Sequence, residues 1–362
     1  MDSTHHTLVG IGTKVMNKIK PIQKILFGSP GTGKSHQIDV NIIPYELEID
    51  IEVNPENVIK TVFHPEYTYG DFMGKLVPIT RAGKVEYSYY EGHFLKALAQ
   101  AYKNLLNEDN EHVVLVIDEI NRGNSAAIFG NIFQLLDREK NGWSCYQINI
   151  SEMEFDKLIN IIFGKKVDEL TGKMTKDEIQ ALTEVEQRKK ATRKLVEDTH
   201  ISFLKEQVIK IPSNLSILAT MNTSDSSIYY MDSAFKRRWD WEFVNIDGEP
   251  VKAEGDVFTN RGDWQDFVGK LNTFIKANYK YIRGIEDKQI GFWFITDDVI
   301  EKSTIQNKLM FFIWDNVFNR DKKPLIELMF GENTKNHDKL VTFGDFAENI
   351  DLFIEKINSY PL

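Results

Sequence analysis

The residues with the clearest chemistry are Gly28-Ser29-Pro30-Gly31-Thr32-Gly33-Lys34-Ser35, which satisfy G-x-x-x-x-G-K-[ST] at every position. The apolar run Lys24–Phe27 precedes them and a helical pattern follows, the order that a phosphate-binding loop needs. Backbone N–H groups of such a loop wrap a phosphate chain, and the following helix aims the positive end of its dipole at the same anion. Gly28, Gly31 and Gly33 allow the tight path and close approach that a Cβ would block. Lys34 is then placed to reach the β- and γ-phosphates of a nucleoside triphosphate, and the Ser35 hydroxyl to ligate Mg²⁺.

Three further stretches fit the same chemistry. Val113-Val-Leu-Val-Ile-Asp118-Glu119 is an apolar run ending in two acids. At the carboxyl edge of a parallel strand, where open α/β sheets bind their ligands, Asp118 can hold the metal and Glu119 can act as general base on water. Two acids after a strand also serve as a helix N-cap pair, so the catalytic reading rests on their pairing with the loop. Leu215-Ser-Ile-Leu-Ala-Thr-Met-Asn222 ends an apolar run in an amide. On a strand beside Asp118, Asn222 would lie near the γ-phosphate and position water; by itself it reads as a turn former. Asp232-Ser-Ala-Phe-Lys-Arg237-Arg238-Trp-Asp240 places three cations in a row before a final strand. Arg237 and Arg238 are both candidate arginine fingers acting on a neighbouring subunit's nucleotide, the alternative being a solvated basic patch.

These groups need a sheet to position them. Five β-branched or apolar runs (Lys24–Phe27, Val58–Phe63, Val113–Ile117, Leu215–Thr220 and Trp241–Val244) are separated by helical patterns, as in an α/β parallel sheet with covering helices. Phe94, Leu95, Leu98, Tyr102 and Leu105 recur at helical spacing and make one crossover. Residues 1–23 read as an N-terminal extension, 24–245 as the nucleotide-binding core, and 246–362 as a linker and a smaller helical domain. Trp264–Tyr279 and Lys308–Phe318 are expected helices there, and Phe343, Phe346, Ile350, Leu352, Phe353 and Ile357 form a buried helical stripe. Within the core, 165–206 is highly charged and reads as a helical insertion. Thr175 and Glu178 form an expected capping box for a helix from about Lys176 to Asp198. A solvated hairpin without a role is its plainer explanation.

Composition narrows the class. The chain has 362 residues, 42% apolar and 27% charged, which suits a two-domain globular protein and excludes collagen-like, disordered and disulfide-scaffold classes. Forty-four Lys plus Arg against 54 Asp plus Glu give a net charge of −10, so bulk charge does not attract nucleic acid and any such contact is local. Cys145 is the single cysteine and excludes an internal disulfide. With no apolar run long enough to span a bilayer and no signal-peptide core, the expectation is a cytoplasmic protein without membrane contact.

Together the motifs resemble the AAA+ superfamily and, within it, the McrB-like branch of the clade that also holds MoxR and dynein-type modules. Phe63-His-Pro-Glu-Tyr-Thr-Tyr-Gly-Asp-Phe72 resembles that branch's His-x-x-Tyr-x-Tyr-x-Asp-Phe segment, and Glu91-Gly-His-Phe94 the glycine-phenylalanine turn that follows. Asp118-Glu-Ile-Asn-Arg-Gly-Asn124 is similar to its extension of the acidic motif. Met221-Asn-Thr-Ser-Asp225 matches Met-Asn-Thr-x-Asp, and Gln289-Ile-Gly-Phe-Trp-Phe294 resembles the lid motif Ile-Gly-His-Ser-Tyr-Phe. Two positions depart from the pattern: Ser226 where Arg is usual, and Phe292-Trp293 in place of His-Ser.

The resemblance implies an AAA+ P-loop core with a parallel five-stranded sheet and a C-terminal helical lid. It implies a nucleotide-driven ring, typically a hexamer, using Mg²⁺ with GTP ahead of ATP. It implies a separate McrC-like nuclease subunit, and DNA handled indirectly or through the ring pore, in restriction of modified invading DNA. By the same comparison Asn222, Thr223 and Asp225 border the nucleotide, and Asn121 and Arg122 sit beside the hydrolysis site. The phosphate loop begins at Gly28, so recognition of modified DNA is expected in another chain. A MoxR-like ATPase remodelling protein clients and a nucleotide-stabilised scaffold with little hydrolysis are the alternatives.

Overall fold

A computed structural model describes residues 20–81, 83–107, 111–174, 184–222, 229, 231–245, 253–332 and 338–361. Its strands in chain order are β1 (Gln23–Gly28), β2 (Val58–Val62), β3 (Gly74–Arg81), β4 (Lys84–Glu91), β5 (Val113–Asp118), β6 (Ile148–Asn149), β7 (Val208–Ile209), β8 (Leu215–Asn222), β9 (Asp240–Phe243), β10 (Asp256–Phe258) and β11 (Ile300–Glu301). The principal sheet has the order β2-β5-β8-β1-β9, and every neighbouring pair in it is parallel. Its five strands are the five runs expected from the sequence, each with ends within two residues.

Both faces of this sheet are covered, which is why its central strands read as unbroken apolar runs. On one face Leu26, Val114, Val116, Leu218 and Val244 pack with Ile38, Ile42 and Ile43 from the helical segment after the phosphate loop. That segment is α-helical over Lys34–Gln37 and π-helical over Ile38–Glu46, with Pro44 inside it. Proline lacks an N–H and crowds the preceding turn, so a widened helix is a physically reasonable response. On the opposite face Ile25, Phe27, Leu115, Ile117, Ile217 and Ala219 join the helix His93–Leu106 in the main core.

The C-terminal helices include Arg261–Ala277, Ile305–Met310, Ile313–Val317, Lys323–Phe330, Phe343–Glu348 and Ile350–Asn358. They dock on the Phe27 face through aromatic rings: Phe27 lies 4.1 Å from Phe311 and 5.5 Å from Phe343, and Trp241 lies 5.0 Å from Phe311, centroid to centroid. The expected stripe is buried at Phe343, Phe346, Ile350, Phe353 and Ile357. In the insertion, Glu184–Val196 is helical, and Val167, Ala191, Val196, Ile201 and Leu204 are buried with the core. The expected capping pair Thr175 and Glu178 lies outside the described residues.

One element was not expected. β3 and β4 form an antiparallel hairpin just ahead of the helix His93–Leu106, with Leu76, Val85, Tyr87 and Tyr90 exposed. Lys84–Tyr89 (Lys-Val-Glu-Tyr-Ser-Tyr) alternates polar and apolar residues at a strand's period of two, a signal that breaks only at Tyr90-Glu91 and that a reading for buried apolar runs passes over.

Candidate nucleotide site

The sheet order places β8 between the strand carrying the loop and the strand carrying the acids. All three strands run parallel, so Gly28, Asp118 and Asn222 arrive at one edge; Gly28 pairs with Asn222 in the register.

The loop residues adopt conformations that require glycine. Gly28, Gly31 and Gly33 have φ of 153°, 80° and 79°. A Cβ on Gly28 would also fall on the carbonyl oxygen of Val244. Thr32 Oγ1 donates to the Ser29 carbonyl at 3.1 Å and braces the loop, while Ser29, Pro30, Gly31, Gly33 and Ser35 are exposed along its rim. Lys34 folds inward: its Nζ donates to the carbonyls of Ser29 at 2.7 Å and Gly28 at 3.2 Å, and the residue is 7% exposed. Burial pushes its ammonium below the usual lysine range, opposed by the nearby Glu119 carboxylate.

The two acids owe their placement to a backbone irregularity. Glu119 has φ of 56°, a left-handed conformation that a side-chain-bearing residue holds only where its surroundings enforce it. In a regular strand, consecutive side chains point to opposite faces. Here Asp118 Oδ1 accepts hydrogen bonds from Ser35 Oγ at 2.9 Å and Thr220 Oγ1 at 3.0 Å, while Glu119 Oε1 accepts one from Asn222 Nδ2 at 2.7 Å. Thr220 and Asn222 are two apart on β8 and share a face, so the left-handed step brings both acids to the same side of the neighbouring strand. Oε2 of Glu119 is buried and has no hydrogen-bond partner among the described residues.

Sequence reasoning had given Thr220 no role. Its hydroxyl bonds Asp118 and accepts from the Glu119 backbone N–H at 3.2 Å, and its signal is a hydroxyl in an otherwise apolar stretch of strand two residues before Asn222. Asn121 closes the arrangement: it is 1% exposed, donates from Nδ2 to the Asn222 carbonyl at 2.9 Å, and accepts at its own carbonyl from Tyr229 N at 2.8 Å. Arg122 is exposed. Thr223, Asp225 and Ser226 lie outside the described residues.

The aromatic segment Phe63–Phe72 is a packing device. Phe63, Phe72 and Phe94 are fully buried, the Tyr67 hydroxyl lies 2.8 Å from His93 Nδ1, and Thr68 with Asp71 forms a capping box. Gly92 must be glycine because a Cβ would strike the Phe72 carbonyl.

The paired arginines separate. Arg238 is engaged within its own chain: Nη2 lies 2.7 Å from Asp137 Oδ2, Nη1 donates to the Ala234 carbonyl at 2.7 Å, and the guanidinium stacks 3.9 Å from the Phe133 ring centroid. Its side chain is 8% exposed, whereas Arg237 projects into solvent.

An alcohol and a carboxylate oxygen 2.9 Å apart, from Ser35 and Asp118, are the hard donors that suit Mg²⁺, which takes one or two protein ligands and fills its shell with water and phosphate. Phosphate loop, acid pair and an asparagine strand between them, on a parallel sheet of this order, define an AAA+ P-loop NTPase. Component YdiS of the type II restriction enzyme BsuMI from Bacillus subtilis (strain 168) is 28% identical over 363 aligned positions, covering 92% of this chain and 88% of that protein. The EcoKMcrB subunit of the type IV methyl-directed restriction enzyme of Escherichia coli (strain K12) is 25% identical over 225 positions, 62% of this chain and 35% of that subunit. In its site and in its curated relatives the chain is similar to McrB-like AAA+ NTPases.

No family model matches the chain. Among solved structures, a protein described as an ATPase from Cytophaga hutchinsonii ATCC 33406 aligns at 12% identity and a TM-score of 0.26, covering 92% of this chain and 84% of that one. Caenorhabditis elegans PCH-2 aligns at 11% and 0.19, covering 96% and 64%. Superpositions this loose carry no argument, and the fold rests on the strands themselves. No described helix is long and apolar enough to cross a membrane.

Proposed function

We propose that the chain is the NTP-hydrolysing motor subunit of a McrBC-like restriction or anti-phage defence complex, working as a ring, a hexamer by family precedent, with a separate McrC-like nuclease. The observation that carries the hydrolytic reading is the convergence of Ser35 on Asp118 and of Asn222 on Glu119 at one sheet edge. Lys34 and the loop amides hold the negative charge of a triphosphate, exchanging the loop carbonyls that Lys34 now binds for phosphate oxygens. Mg²⁺, held by Ser35 and Asp118, supplies charge neutralisation on the phosphates. The unpartnered Oε2 of Glu119 accepts the proton of the attacking water as general base, and Asn222 fixes the carboxylate through Oε1. Arg237, exposed and at the end of the short helix Ser233–Lys236, is the group that reaches a neighbouring subunit's nucleotide. Arg238 anchors that helix.

Both relatives are restriction-enzyme components, which favours the defence reading over protein remodelling. The same precedent favours GTP over ATP, and it leaves contact with DNA to the pore or the partner. Phosphate release from wild type and Glu119→Gln, with GTP and with ATP, tests the hydrolytic reading. Turnover with GTP that falls at least about 100-fold in the variant supports it, and equal turnover in both proteins contradicts it. Affinity capture from the native host tests the complex, a nuclease subunit being the expected companion.

A further inference from the structure

Thr220 reaches both acids of the site with one side chain. It is 4% exposed and stands two residues before Asn222, on the same face of β8. Its hydroxyl donates to Asp118 Oδ1 at 3.0 Å and accepts from the Glu119 N–H at 3.2 Å. A hydroxyl can do both at once, whereas an ammonium only donates, a carboxylate only accepts and a methyl does neither. The main chain adds a third bond, from the Ile120 N–H to the Thr220 carbonyl at 3.0 Å. Thr220 therefore takes the N–H on either side of the Glu119 Cα, about which the chain makes its left-handed step with φ of 56°. A residue with a side chain keeps that conformation only where its neighbours over-determine it.

Two hydroxyls converge on one carboxylate oxygen, because Ser35 Oγ also donates to Asp118 Oδ1, at 2.9 Å. Their settings differ. Ser35 is on the exposed rim of the phosphate loop and is itself a candidate metal ligand, whereas Thr220 is buried and its β-branched side chain has little rotamer freedom. With the Ser35 oxygen turned to a metal, Thr220 is left as the donor that aims Asp118. Groups that orient a metal ligand without touching the metal typically change metal affinity or activity by about 10- to 100-fold when removed. On the hydrolytic reading above, we propose that Thr220 is a positioning residue that locks the Asp118 carboxylate and the general base Glu119 into one unit. The Mg²⁺ requirement and the hydrolytic rate then depend together on its hydroxyl. Its γ-methyl has no part in this, so serine should serve in its place and valine, of nearly the same shape, should not.

Equilibrium binding of a fluorescent, non-hydrolysed nucleotide analogue, titrated with Mg²⁺ in wild type, Thr220→Val and Thr220→Ser, tests it. Thr220→Val should need at least about tenfold more Mg²⁺ for half of the metal-dependent gain in affinity, while its affinity in excess EDTA stays within about twofold of wild type. Its kcat at saturating Mg²⁺ should fall at least about tenfold with KM little changed, and Thr220→Ser should bring both quantities back to within about threefold of wild type. Thr220→Cys, whose thiol is a weak donor and acceptor, carries the same comparison where Thr220→Val does not fold. Either quantity at its wild-type value in Thr220→Val overturns the positioning role, as does a Thr220→Ser protein that behaves like Thr220→Val. A melting temperature lowered equally in both variants, with the wild-type Mg²⁺ requirement kept, reduces Thr220 to packing and overturns it too. Wild type whose nucleotide affinity ignores Mg²⁺ and that releases no phosphate overturns the hydrolytic reading and the role of Thr220 together.

Discussion

Asn222 Nδ2 donates a 2.7 Å hydrogen bond to Oε1 of Glu119, tying the amide that ends one strand to the carboxylate that follows its neighbour. The bond fixes one oxygen of the carboxylate and leaves Oε2 as the acceptor for a reacting proton. Glu119→Gln should keep nucleotide affinity within about twofold and lose at least about 100-fold in kcat, because an amide cannot take that proton. Asn222→Ala removes the tether alone and should lower kcat by about 10- to 100-fold with KM little changed. Steady-state phosphate release with parallel equilibrium binding separates the two effects.

Arg237 and Arg238 should fail differently. Arg237→Ala leaves every described internal bond in place and should melt like wild type while losing at least about 100-fold in hydrolysis. Arg238→Ala leaves Asp137 half-buried without its cation and should lower stability by about 2–3 kcal/mol. Mixing Arg237→Ala with Glu119→Gln should restore part of the activity, since some boundaries then combine an intact base with an intact finger. Activity no higher than the sum of the separate variants contradicts action across subunits.

The phosphate loop offers a paired glycine test. Gly28→Ala combines a φ of 153° with a Cβ placed on the Val244 carbonyl, inside a parallel sheet that cannot yield. A loss of at least about 2 kcal/mol is expected. At Gly31 a Cβ meets nothing within 4 Å, so Gly31→Ala should cost only about 1 kcal/mol through its positive φ. Denaturant unfolding without nucleotide reads both.

His112 should impose a pH dependence on stability. It is 8% exposed, and burial, reinforced by the buried Arg138 cation, pushes its imidazole from the ordinary 6.5 down to about 4. The unfolded chain therefore binds the proton more readily than the folded one. The stabilisation is complete above pH about 6.5 and is lost as pH falls toward 4, by up to about 3 kcal/mol. The difference in unfolding free energy between wild type and His112→Leu should be flat from pH 7 to 8 and shrink steadily below about 6.5. A constant difference down to about pH 4.5 contradicts this protonation.

Much of this site is legible in the chain because backbone groups do its work: glycines at Gly28, Gly31 and Gly33 and the acids after Ile117 are dictated by local geometry. The central strands β5, β8 and β1 announce themselves because burial on both faces keeps them largely apolar, whereas the edge strands β2 and β9 carry Lys60, Asp240 and Glu242 and are marked by their β-branched and aromatic residues. The β3–β4 hairpin shows only the alternation of Lys84–Tyr89, and because Leu76, Val85, Tyr87 and Tyr90 stay exposed it has no apolar run of the kind that marks the sheet. The separation of Arg237 from Arg238 is equally invisible, for it depends on Asp137 and Phe133, a hundred residues away in sequence. Thr220 is silent for the same reason, its role being set by a parallel neighbour.

Equilibrium binding of labelled GTP and ATP to Lys34→Ala, alongside wild type, measures the central claim most directly. Lys34 spends its ammonium on the Gly28 and Ser29 carbonyls until phosphate oxygens replace them. The account predicts a loss of affinity of at least about 100-fold, with the nucleotide-free melting temperature little changed. Wild-type affinity in that variant would place the triphosphate elsewhere.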